Sequence, residues 1–116
     1  MVMGKIGSVY DLISREYGVD VATEENSASS VIGVSSLIIA PNNPRRLGLT
    51  IVNLSANTLY VRPQGAAAAT IGIRLDANGG SVTMNFKDDQ HLPSLEWQAV
   101  ATGGGSQIYV AGVLIR

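Results

Sequence analysis

Cysteine is absent from this 116-residue chain, so no disulfide can staple it, no thiolate can hold a metal and no cysteine can act as nucleophile. Histidine is nearly absent too. The one example, His91, lies in Gln90-His91-Leu92-Pro93, where nothing beside it forms a nucleophile context, and it reads as a surface loop residue. Excess charge of either sign is missing, the formal net charge being −1, which gives no argument for nucleic acid. No apolar run approaches the roughly 20 residues that cross a bilayer. The start lacks the basic-then-apolar layout of a signal peptide, so the expectation is a soluble protein not exported by that route.

Other chemical signatures are equally thin. Asp88 and Asp89 offer too few oxygen donors for a calcium loop, and Gly103-Gly104-Gly105 lacks the Lys-Ser/Thr of a phosphate cradle. Asn53-Leu54-Ser55 matches a glycosylation acceptor, which means nothing without export. Arg45 and Arg46, with Arg62 and Arg74, form no basic stripe interleaved with aromatics, so they read as structural ion pairs within or between subunits. The expectation is a chain without catalytic residues, metal or cofactor, and so not an enzyme.

What is present is β-strand patterning. A chain of this length makes one domain that buries about two thirds of its unfolded surface. Residues 45–62 organise the rest: Leu47, Leu49 and Ile51 recur at period two, Leu59 and Val61 do so beyond Asn53-Leu54-Ser55-Ala56-Asn57, and the pair reads as a hairpin through a polar turn. Residues 31–39 are rich in β-branched side chains and stop at the prolines of Pro41-Asn42-Asn43-Pro44. Residues 66–69 read as loop and residues 71–75 as a short strand. After the turn Asn78-Gly79-Gly80, residues 81–87 alternate with Val82, Met84 and Phe86 inward. Trp97, Ala99 and Ala101 share one face of the next strand, with Trp97 in the core. The last strand, residues 107–115, is apolar on both faces, which predicts a central position or a covering subunit. Short strands at about ten-residue spacing define an all-β fold, an antiparallel β-sandwich or a jelly-roll-like barrel.

The first thirty residues differ. Ile6, Val9, Tyr10, Ile13 and Tyr17 fall at helical spacing and Gly18 is placed to stop a helix over about residues 7–17. Residues 23–30 carry no large apolar side chain and read as a linker or extended arm. This segment has a charge balance of −3 against +2 for the remainder. The division is therefore residues 1–30, helix and arm, and residues 31–116, β-sandwich domain. The helix packs either on its own domain or on a neighbouring subunit.

The succession Arg46-Leu47-Gly48-Leu49-Thr50-Ile51-Val52-Asn53, Asn57-Thr58-Leu59-Tyr60-Val61, Ile71-Gly72-Ile73-Arg74-Leu75, Asn78-Gly79-Gly80, Trp97-Gln98-Ala99-Val100 and Ile108-Tyr109-Val110 resembles small β-sandwich virion proteins of tailed bacteriophages, including head decoration (cement) proteins. That resemblance implies a structural protein on the capsid surface, made in the host cytoplasm, that binds the assembled major capsid protein, often as a homotrimer. Contact with the capsid or a second subunit is then expected at Ile6, Val9, Tyr10, Ile13, Arg45, Arg46, Tyr109, Val113 and Ile115, with no nucleic acid or membrane partner. The alternative is a tail or head-fibre module recognising a host glycan, which needs Trp97 or Tyr60 as an exposed stacking platform.

Overall fold

The computed structural model describes residues 8–25 and 31–115. Helix α1, Val9–Tyr17, stands where the spacing predicts it. Ser8 caps its start by accepting from the Asp11 N–H at 3.2 Å, and Gly18 ends it at φ 65° with its N–H donated to the Ser14 carbonyl. Among the described residues nine strands follow: β1 Val21–Glu25, β2 Val31–Ile32, β3 Leu37–Ala40, β4 Arg46–Asn53, β5 Leu59–Pro63, β6 Ile73–Leu75, β7 Ser81–Asn85, β8 Trp97–Ala101 and β9 Ser106–Ile115. A one-turn helix α2, Phe86–Asp89, and a 3₁₀ turn, Leu92–Ser94, separate β7 from β8.

The strands form two antiparallel sheets. Sheet 1 runs β1-β9-β4-β7, with β2 also on β9 beyond the end of β1, and sheet 2 runs β3-β8-β5-β6. From β2 to β9 this is the order of a jelly roll, in which successive strands pass from one sheet to the other except at β5 and β6, which pair side by side. The core lies between the sheets, where Ile51, Met84 and Val110 of sheet 1 meet Leu59, Val61 and Trp97 of sheet 2, all buried as the alternation predicts.

The expected hairpin over residues 45–62 is not a hairpin. Strand β4 bonds to β7 and β9, and β5 to β6 and β8, so the two face each other across the core. Period-two patterning reports which face of a strand is buried, and that condition is met equally by pairing side by side or by opposing faces. The turn chemistry decides for the second. Asn53 is fully buried and folds the connection around itself. Its Nδ2 donates to the carbonyls of Asn57, Leu75 and Asp76 at 2.7–3.1 Å, while its Oδ1 accepts from the Ser55 N–H and hydroxyl at 2.9 and 2.7 Å.

Two further expectations are corrected. Residues 23–25 are strand, not linker: β1 pairs with β9 in the register Thr23↔Val113, so cutting at residue 30 would remove a strand of the sandwich. Residues 26–30 lie outside the described residues. Phe86 does not point into the core. Strand β7 ends at Asn85, whose Oδ1 caps α2 by accepting from the Asp88 N–H at 3.0 Å, and the backbone turns helical before Phe86 reaches the inner row. At 38% exposure its ring meets Tyr17 edge to face, centroids 5.8 Å apart. Phe86→Ala is therefore expected to cost about 1 kcal/mol, the scale of a surface aromatic pair, and not the roughly 3–5 kcal/mol of a buried phenylalanine. Urea titration of the variant measures which.

Candidate interaction site

The residues singled out in the sequence part into four groups. Arg46 is no surface residue, being 3% exposed on the inner side of β4. Its Nε bonds Glu24 Oε1 of β1 at 3.0 Å, one Nη donates to the carbonyls of Pro93 and Leu95, and the other to that of Pro41 at 2.8 Å. Gly112 makes room for this clamp: a Cβ there would stand 3.2 Å from Glu24 Oε1 and 3.4 Å from Arg46 Cδ. Arg46 is thus the structural ion pair that its sequence context suggests, inside one subunit. Ile6 lies outside the described residues, and Val9, Tyr10 and Ile13 are described only through the backbone of α1. Arg45 is exposed, and its carbonyl accepts from the Ile115 N–H at 2.7 Å.

Tyr109, Val113 and Ile115 belong to the face of sheet 1 turned away from the core. In register with them stand Gly48, Thr50 and Val52 of β4 and Ser81, Thr83 and Asn85 of β7. None of the outward residues of β4, β7 and β9 carries a charge. Two hollows lie on this face, one of about 310 Å³ between Tyr17, Val21, Leu47, Phe86 and Ile115, the other of about 440 Å³ over Thr50, Thr83, Tyr109 and Ala111. They share Gly48, Asn85 and Val113 and so form one trench. Lys87 marks its end, with Nζ 5.9 Å from the Tyr17 ring centroid. Interaction with the Tyr17 hydroxyl raises the Lys87 pKa above its ordinary value, outweighing the opposing effect of desolvation, with lesser help from Asp88 and Glu16.

Sheet 2 has a hollow lined by no charged residue, unlike the larger one on sheet 1, which Glu24 helps to line. It measures about 440 Å³ and is lined by Val34, Ser36, Tyr60, the alanines 67–69 and Val100. The loop that walls it is pinned where the Ala67 N–H donates to Ser36 Oγ at 3.0 Å. Val34, 71% exposed, stands at the rim, and Leu37 and Ile38 beside it on the edge strand β3 are also exposed. Ile71 and Ile73 repeat this at the opposite edge, on and before β6. Sequence reading missed these aliphatics because it took residues 31–39 as one strand. The available signal was the absence of any charged residue from 26 to 44.

Among the described residues no three of His, Asp and Glu come together as metal ligands. His91 is exposed before the 3₁₀ turn, and Asp88 and Asp89 bond Asn85, Asp89 by accepting from its backbone N–H at 3.0 Å. No helix among the described residues is long and apolar enough to cross a membrane. No family model matches the chain, and no curated protein matches it.

Proposed function

We propose that the chain is a structural virion protein of the capsid decoration type, which binds the assembled major capsid lattice and stabilises it as a homotrimer. The observation that carries this reading is the uncharged hollow of sheet 2 with exposed Val34 at its rim and exposed Leu37 and Ile38 on the neighbouring edge strand β3, a surface suited to a protein partner. The jelly-roll strand order agrees with it by analogy, since capsid and lectin domains both use that order. A protein that binds only the assembled lattice stabilises it by mass action. Three linked copies strengthen a modest contact through effective concentration. The glycan-binding alternative loses its main platform, because Trp97 is 1% exposed and donates its indole N–H to the Leu92 carbonyl at 2.9 Å. Tyr60, half-buried in the same hollow, is what remains of it.

Cosedimentation with assembled shells of the parent virion tests the reading. The wild-type chain is expected to pellet with expanded shells. The double variant Val34→Asp/Ile38→Asp should stay at least about tenfold more in the supernatant with unchanged strand content, because a charge is costly to bury in an apolar contact. Failure of the wild-type chain to bind shells in excess would sink the proposal.

A further inference from the structure

We infer that Asn78-Gly79, in the turn that carries the chain from β6 of sheet 2 to β7 of sheet 1, is a self-modification site at which Asn78 deamidates to isoaspartate when the turn opens. Of the seven asparagines in the sequence, Asn78 alone is followed by glycine. The turn selects this pair. Asn78 sits at φ 60° and Gly79 at φ 117°, left-handed conformations that asparagine tolerates and glycine adopts freely. Both residues are exposed, and a Cβ at position 79 would meet nothing within 4 Å, so that side of the peptide is open.

The reaction needs nothing but water. The Gly79 nitrogen, once it has lost its proton, attacks Cγ of Asn78. An N–Cγ bond forms, the Cγ–Nδ2 bond breaks, and the side-chain nitrogen leaves as ammonia with the proton. Water then opens the five-membered imide, at Cγ to leave aspartate or at the Asn78 main-chain carbonyl carbon to leave isoaspartate, whose chain runs through Cβ and Cγ. One ammonia is released and one water consumed, with no change of oxidation state.

In the closed turn the nucleophile is engaged. The Gly79 N–H donates to the main-chain carbonyl of fully buried Asn53 at 2.7 Å, so the proton that must leave is held. The bonds on either side hold the turn shut. The Asn78 N–H donates to the Ser55 carbonyl at 2.8 Å, the Asn53 N–H donates to the Gly80 carbonyl at 2.8 Å, and Asn53 Nδ2 donates to the carbonyls of Leu75 and Asp76. Isoaspartate inserts one more backbone carbon between the Asn78 and Gly79 N–H groups. The lengthened turn can no longer meet Ser55, Asn53 and Gly80 in step, so a chain that has reacted does not close as before. Opening is thereby recorded in the covalent structure, and the edge strand β6, which ends at this turn, loses its anchorage.

Peptide mapping by mass spectrometry tests this on the full chain, held in mildly alkaline buffer with and without guanidinium chloride. In denaturant a one-dalton gain should appear at Asn78 before any other asparagine, with isoaspartate as the major product. In buffer the gain should be at least about tenfold slower, because only the open fraction reacts. After removal of denaturant the isoaspartate chain should show an unfolding equilibrium constant raised at least about tenfold, the effect of losing one or two of these bonds, or should fail to refold. Asn78→Asp carries the added charge on a normal backbone and should stay close to wild type, and Asn78→Gln should gain no mass at this position. No gain at Asn78 in denaturant, equal rates in buffer and denaturant, or an isoaspartate chain no less stable than Asn78→Asp would each overturn the inference.

Discussion

Replacing Arg46 by methionine is expected to remove about 3–5 kcal/mol of stability, the scale of breaking a buried ion pair from one side. The guanidinium gathers Glu24 from β1 and three backbone carbonyls from the segments around Pro41, Pro93 and Leu95. Methionine fills much of the volume, so the loss measures polar groups left without donors more than a cavity. Glu24 is 38% exposed in its side chain and can rehydrate, so most of the effect falls on the carbonyl oxygens. Glu24→Gln alone should therefore cost about 1 kcal/mol. Arg46→Lys keeps the charge and loses the fork, and should recover less than half of the Arg46→Met deficit. Urea denaturation of the three variants checks the order. A loss below about 1 kcal/mol for Arg46→Met would mean that the clamp is dispensable.

Trp97→Ala should be as damaging, at about 3–5 kcal/mol, because its cavity would open between two sheets that cannot collapse onto it. The ring is almost wholly enclosed, with Ala40 and Pro63 opposite it on the flanking strands β3 and β5. Trp97→Phe keeps part of the volume and gives up the N–H bond to Leu92. It should fall between the two, near 1–2 kcal/mol. As the sole tryptophan, Trp97 also reports on itself: its emission should be blue-shifted and poorly quenched in the folded chain, and normal emission would contradict its burial.

Much of the sandwich was legible because burial writes a period-two signal. Leu49 and Ile51, Leu59 and Val61, and Trp97, Ala99 and Ala101 all lie on the faces their alternation assigns. Strand neighbours were not legible. Alternation says nothing about partners, and the decisive residue, Asn53, looked like ordinary turn chemistry until its side chain was found inside. Phe86 failed for a local reason, since the Asn85 cap to Asp88 outweighed one more step of alternation. Of the candidate site, Tyr109, Val113 and Ile115 were singled out through the two-sided apolarity of β9, and they line the hollows of the outer face of sheet 1. Arg46 was set at an interface because an arginine pair looks like surface, whereas the register of β4 turns one of the two inward.

The alternation of strands between sheets has a kinetic consequence. Among the described strands only β5 and β6 are neighbours both in sequence and in hydrogen bonding, while β9 draws its partners from the region of residues 21–53. Almost no pairing can therefore form locally and wait for the rest. Closing long loops before any contact rewards them places refolding on the millisecond-to-second scale typical of such topologies. During that interval the uncharged stretch from 26 to 44 has no charge to keep two chains apart. Refolding yield should thus fall as protein concentration rises, through encounters between chains whose β3 edges have not yet found β8.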